Sequence, residues 1–255
     1  MRNFLTFVAV ALVTALTVAL VAPPFIDWSA RRDMVARAIA ARIGTPVEIS
    51  GPITLRALPT PYLKIADVAI GPRGKPWLTG PQMRVELSFA SLFGGQIRLD
   101  DVGFDHPKLR LGPHFAPPAE GRLEFDRIRA AHAEIRIERA GAEPILLHDV
   151  NFDGFARSGR GPWRGGGDFA FAGGRADYQF ASGGFAADAL PLKAEIDAGQ
   201  SRAEFDGRLV LADAPRLEGA AIFSGQAPAP GGGAWPWRVS GQLVAGGEAA
   251  TVADA

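Results

Sequence analysis

Four histidines, His106, His114, His132 and His148, are the side chains best suited to hold a metal or move a proton near neutral pH. They lie far apart, with no shared ligand spacing. His132 and Glu134 fall on one face if their segment is a strand, an arrangement commoner as a surface contact than as a zinc site. Asp100 and Asp101 point to opposite faces of an extended chain, which makes them a poor general acid/base pair. The glycine triplets Gly165 to Gly167 and Gly231 to Gly233 do not sit between a strand and a helix, so they read as turns rather than phosphate cradles. No G-x-S-x-G, H-E-x-x-H, Walker A or properly placed G-x-G-x-x-G is found. With no cysteine, disulfides, thiol nucleophiles and cysteine-ligated zinc are excluded. No catalytic, metal or cofactor-binding residue is expected, and the chain does not read as an enzyme.

Charge narrows the partners. Of the 255 residues, 27 are basic and 27 acidic, so no net field draws in a nucleic acid. The organising stretch is instead Phe4 to Ala22, which carries no charge. As a helix it would be about 28 Å long, close to the roughly 30 Å hydrocarbon core of a bilayer. A cleaved signal has a shorter apolar core, and Pro23-Pro24 directly follows the best cleavage point, so a retained anchor over residues 1–25 is expected. Arg2 stands against Arg31, Arg32 and Arg37 on the other side, and that balance does not fix which side the body occupies.

Behind the anchor the pattern predicts one short helix. Asp27 or Ser29 can cap its start, Val35, Ile39 and Ile43 with Ala38 mark a face, and Gly44 followed by Pro46 ends it. Its Arg31, Arg32, Arg37 and Arg42 suit either lipid phosphates or an ordinary solvated face. From Val47 the apolar period becomes two, as in Met83/Val85/Leu87/Phe89, Ile97/Leu99, Ala133/Ile135/Ile137 and Ala221/Phe223. The parity slips at Ala66-Asp67, which predicts a bulge or a change of strand. Glycine (31) and proline (20) together lie well above the roughly 12 % of average composition and are spread between these runs, as turns between many strands would be. Residues 26–255 thus read as one β body, with a weaker boundary near Gly112 to Gly121. After Glu248 to Ala255 no closing helix or capping hairpin is visible, so the chain is expected to continue.

Each strand has one apolar and one charged face, yet no further amphipathic helix is available to cover the apolar side. A second sheet can close over it as a β-sandwich, or the sheet can curl into a groove covered by a ligand. On the pattern alone the sandwich is the expectation, because closed packing is the commoner solution, with the groove as the alternative. Trp235 and Trp237, which share a face, suit strand packing or an interface with lipid or a partner.

The segment Pro24 to Gly71 resembles the start of the AsmA family of bacterial envelope proteins. The resemblance rests on Asp27-Trp28 opening a short helix, Gly44-Thr45-Pro46-Val47 turning into a strand, and Leu58-Pro59-Thr60-Pro61 leading into the next. It continues more loosely through Leu92-Phe93-Gly94-Gly95 and His106-Pro107. This resemblance implies an inner-membrane protein with its body in the periplasm. It also implies an elongated, curled antiparallel sheet that conducts phospholipids along an apolar groove, in support of outer-membrane lipid homeostasis and envelope assembly. The lining would then be the apolar-parity residues Val85, Leu87, Ile97, Leu99, Ile135 and Ile137. The implied partners are phospholipids, the inner membrane and envelope proteins of the periplasm or outer membrane. An alternative is a membrane-anchored scaffold for outer-membrane protein assembly that carries no lipid. A further one is an anchored enzyme whose active residues lie beyond Ala255.

Overall fold

A side-chain cap opens the helical turn that precedes the sheet. Asp27 Oδ1 accepts hydrogen bonds from the backbone N–H of Ser29 at 3.0 Å and of Ala30 at 3.2 Å, opening a 3-10 turn over Ser29–Arg31. Helix α1 (Arg32–Ile43) follows and stops at Gly44, whose φ of 69° is left-handed and whose N–H bonds to the carbonyl of Ala40 at 2.8 Å. The computed structural model describes residue 14 and residues 27–56, 60–88, 98–112, 124–139, 142–156, 160–171, 174–210, 216–228, 233–246 and 249–253. Among the described residues no helix is long and apolar enough to cross a membrane, and the expected anchor, Thr14 apart, lies outside them.

Among the described residues fifteen strands follow: β1 (Val47–Ile49), β2 (Ile53–Arg56), β3 (Tyr62–Ile70), β4 (Leu78–Leu87), β5 (Arg98–Asp105), β6 (Lys108–Leu111), β7 (Glu124–Arg139) and β8 (Ala142–Ala156). Then come β9 (Trp163–Phe171), β10 (Gly174–Ser182), β11 (Ala189–Ala198), β12 (Ser201–Val210), β13 (Arg216–Pro228), β14 (Ala234–Gly246) and β15 (Ala249–Ala253). All belong to one curled sheet in the order β1-β3-β4-β5-β7 and onward in sequence, with β2 beside β3 and β6 between β4 and β7. No second sheet faces it among the described residues, so the sandwich arrangement is not what these strands build.

Several expectations are corrected. The sheet is mixed rather than purely antiparallel, because β7 runs parallel to both β5 and β6. β5 and β6 form one broken line along β7, with Arg98 beside Glu124 at its start and Leu111 beside Ile137 near its end. Gly165 to Gly167 lie inside β9 rather than in a turn. The flanking strands occupy the space their missing side chains leave: a Cβ on Gly165 would sit 2.5 Å from the ring of Phe152, and one on Gly166 2.5 Å from the carbonyl oxygen of Tyr178. On α1, Ala38 is exposed, while Ala36 is buried and Ala40 packs beside it. A final hairpin pairs β15 with Gln242 to Gly246 of β14, although the alanine-rich AATVA gave little sign of a strand.

The parity slip at Asp67 lies within a single strand. Asp67 has φ 50°, which lets Ile65 and Val68, three residues apart, both be buried. The same device recurs at His106 (φ 49°), His132 (φ 54°) and Asp149 (φ 49°), so that Ala133 in β7 and Val150 in β8 are buried after equivalent slips. These kinks form a crease across neighbouring strands, and bulges of this kind bend a sheet. A further bulge between β4 and β5 pairs Leu87 with Leu99 but Glu86 with Asp101. The expected alternation across Asp100-Asp101 is thereby broken, and Leu99 and Val102 are both buried.

Gly167 tests how closely the glycine strand is approached. A Cβ there would lie 1.8 Å from the carbonyl oxygen of Asn151, a backbone atom held by its own strand. Gly167→Val is therefore expected to destabilise the fold by about 1–3 kcal/mol, the range for overpacking. Denaturant unfolding monitored by circular dichroism measures this, and an unchanged midpoint would show that β8 and β9 are not in such close contact.

Candidate functional site: an uncovered apolar sheet face

One row of side chains crosses the sheet. Directly paired residues on neighbouring strands share a face. The register links Ile53, Ile65, Met83, Phe104, Ala130 and Phe152 in turn. It continues through Gly167, Tyr178, Ile196, Ala203, Phe223 and Val239. With one residue from each strand from β2 to β14 except β6, the row spans about 50 Å at roughly 4.8 Å per step. Its only polar atom is the Tyr178 hydroxyl, which donates to the carbonyl of Asn151 at 3.0 Å. Burial pushes the Tyr178 pKa up to about 12, with the nearby Asp168 carboxylate adding to the effect, so the phenol stays neutral.

Cover along this row is uneven. At the β1–β5 end, Trp28, Val35, Ile39, Ala40 and Ile43 pack with the buried Ala36 onto the sheet. There Ile65 is 0 % and Val68 1 % exposed. Past β8 the only buried apolar residues among those described are Ala176 and Ala221, and neither of the described helical segments, both ahead of β1, packs there. Ile196 is 37 %, Val239 44 % and Trp235 67 % exposed on this face. Trp237 stands opposite Gly225 and Trp235 opposite Ala227, so both indoles extend the same surface. Between the two ends lies an aromatic group of Phe152, Phe169, Tyr178 and Phe180, with ring centroids 5.8 to 6.4 Å apart.

The residues expected to line a groove divide accordingly. Val85 and Leu99 are buried and Leu87 packs beside them, all within the core under α1. Ile135 and Ile137 are half-buried, Ile135 between Leu109 and Leu147, Ile137 between Leu111 and Ile145. Ile97 lies outside the described residues. The exposed part of the face was not singled out from the sequence, except for Trp235 and Trp237. The alternation around Ile196 and Val239 was the available sign, but parity alone does not separate a covered strand from an open one.

The opposite face is charged, and many of its charges are paired across neighbouring strands. Arg129 meets Asp101 at 2.7 Å, Lys193 meets Asp206 at 2.7 Å, Arg208 meets Glu218 at 2.8 Å, and Arg127 is paired with Asp153. No polar or charged residue is buried among those described. At the crease, His106 and His132 stack with ring centroids 5.0 Å apart, a meeting that their spacing in sequence did not suggest. His106 Nδ1 lies 2.9 Å from Asp105 Oδ1 and His132 Nδ1 2.6 Å from Asp149 Oδ1, so the partner of His132 is Asp149 rather than Glu134. Arg175 bridges Asp149 and Asp168. His114 lies outside the described residues, and among those described no three His, Asp or Glu side chains are placed to share a metal ion.

These pairs set a pH dependence. The hydrogen bond to His132, then that to Arg175, holds the Asp149 carboxyl below the usual carboxylate range. Arg127 does the same for Asp153, and Arg208 for Glu218. A depressed carboxylate pKa contributes stability that is fully present above the unfolded value and is lost as pH falls through the folded value. Thermal unfolding followed from neutral pH down through the carboxylate range should therefore show falling stability, with a smaller drop in Asp149→Asn. An equal drop in that variant would mean the crease pairs do not contribute.

The site is thus a long apolar strip, covered by a helix at one end and open at the other, backed by a charged face rich in ion pairs. Comparison of the chain with family models, with curated proteins and with solved structures finds no match in any of the three.

Proposed function

We propose that the chain is an AsmA-like protein, anchored in the bacterial inner membrane with its body in the periplasm, that holds and conducts phospholipids along its apolar sheet face. The observation that carries this reading is the apolar row from Ile53 to Val239, open to solvent beyond the aromatic group. Exposed contiguous apolar surface of this extent marks a binding surface. Acyl chains suit it because they need no directional partner: each buried methylene contributes about 0.8 kcal/mol, and headgroups can stay in water at the strand ends. The charged face, partly paired within itself, faces water, and with 27 basic and 27 acidic residues the chain carries no net field to draw in other charges. No reacting group is required for carriage. The resemblance of Pro24 to Gly71 to the AsmA family supports the compartment and the anchor over residues 1–25.

Lipid extraction and mass spectrometry on residues 27–255, produced in the periplasm and purified without detergent, test this. Phospholipid in near-stoichiometric amount is expected. A folded, lipid-free protein would overturn carriage and favour the scaffold for outer-membrane protein assembly.

A further inference from the structure

Helix α1 presents two different faces. Its inner face packs on the sheet through Val35, Ala36, Ile39, Ala40 and Ile43. Its outer face carries the exposed Met34, Ala38 and Ala41, spaced so that they form one stripe at 3.6 residues per turn. Arg37 flanks this stripe on one side, Arg31 and Arg42 on the other. Met34 is 46 % exposed although it is a large apolar residue. Among the described residues none of these three arginines meets a carboxylate; on the sheet Arg84, Arg127, Arg129, Arg175, Arg202 and Arg208 do, while Arg56, Arg110, Arg136, Arg164 and Arg238 are also without one, so it is the grouping of three such arginines around one apolar stripe that marks the helix. Arg37 turns its Nε back to the carbonyl of Asp33 at 3.1 Å, and its charge is left without a counter-ion. The only acid within the helix is Asp33.

An apolar stripe flanked by uncompensated guanidinium groups is the pattern of a helix lying in a membrane interface. The apolar centre enters the headgroup boundary, and the arginines reach to anionic phosphates on either side. Position supports the same occupant. If Phe4 to Ala22 crosses the bilayer, only seven residue steps separate Ala22 from Ser29, at most about 25 Å of extended chain. We infer that the outer face of α1 docks on the anionic lipid surface of the membrane in which the chain is anchored, through Met34, Ala38 and Ala41 with Arg31, Arg37 and Arg42. The inference rests on the anchor in the proposed function. Docking fixes the covered end of the apolar strip at the membrane and turns the open end away from it.

Because the chain has no cysteine, a single introduced one is a unique label site. The full chain carrying Met34→Cys or Gln200→Cys is labelled with a nitroxide and reconstituted into vesicles of roughly three parts phosphatidylcholine to one of phosphatidylglycerol. Gln200 lies in the exposed turn between β11 and β12 and serves as the aqueous reference. The label at position 34 should be about fivefold less accessible to a water-soluble nickel chelate than the label at 200, and correspondingly richer in oxygen contact. In pure phosphatidylcholine, or with Arg31→Gln, Arg37→Gln and Arg42→Gln combined, the difference should vanish. Equal nickel access at both positions in an anchored chain would overturn the docking and leave the anchor standing. A chain released from the vesicles by alkaline carbonate would overturn the anchor and the docking with it.

Discussion

Replacing Ile196 and Val239 together by aspartate is expected to abolish phospholipid retention while the chain stays folded. Both side chains lie on the apolar row, one on β11 and the other on β14, and they are 37 % and 44 % exposed. Because so much of each already faces solvent, the folded state loses little when they become polar. An acyl chain lying across the row loses much more. A carboxylate against a hydrocarbon tail must be desolvated or must drive the tail away, at a cost of several kcal/mol, and two such sites interrupt the strip three strand steps apart. Bound phospholipid should fall more than about tenfold, since roughly 1.4 kcal/mol already gives that factor. Asp197→Asn, on the opposite face beside Ile196, should leave retention unchanged. Phosphate analysis of the purified variants, with circular dichroism melting as the control for folding, reads both quantities. Retained lipid in the double variant would place the tails elsewhere.

Ile65→Ala is expected to cost about 2–5 kcal/mol of stability, and Ile196→Ala less than about 1 kcal/mol. The two residues have the same chemistry and lie on the same row, so their surroundings make the difference. Ile65 is 0 % exposed between Ile53 and Met83 beneath the α1 layer. Truncation there leaves a cavity that the flanking strands and the helix cannot close without losing their own contacts. Ile196 stands between Tyr178 and Ala203 with no described residue layered above it and is 37 % exposed, so truncation removes surface largely in water and creates no cavity. Paired denaturant titrations measure the difference. Equal losses would show that the far end of the sheet is packed against something, which would remove the open strip.

Period and turn chemistry made most of the fold legible. The alternation of Met83, Val85 and Leu87 and of Ala221 and Phe223 marks real strands, and Gly44 ends the helix as its conformational freedom requires. Parallel pairing was not legible, because nothing local to β5, β6 or β7 distinguishes a neighbour running the same way from one running oppositely. Gly165 to Gly167 misled for a related reason. Glycine signals a turn when only the chain itself is considered, but here it makes room for the Phe152 ring and for the backbone of strands close in space. The His106–His132 stack depends on β7 lying beside the step between β5 and β6, a consequence of that same parallel pairing. For the candidate site, alternation marked which side chains share the apolar face, but not where α1 stops covering it. Val85 and Leu99 thus fall in the packed core, while Ile196 and Val239, equally periodic, remain open.

The most direct measurement is photocrosslinking at two adjacent positions. A benzophenone side chain is placed in turn at Ile196 and at Asp197, whose exposed side chains project from opposite faces of β11. After irradiation in living cells the adducts are identified by mass spectrometry. The expected result is phospholipid attached at position 196 and none at 197. Protein adducts without lipid at 196, or lipid in equal amounts at both positions, would contradict the claim that this face carries acyl chains.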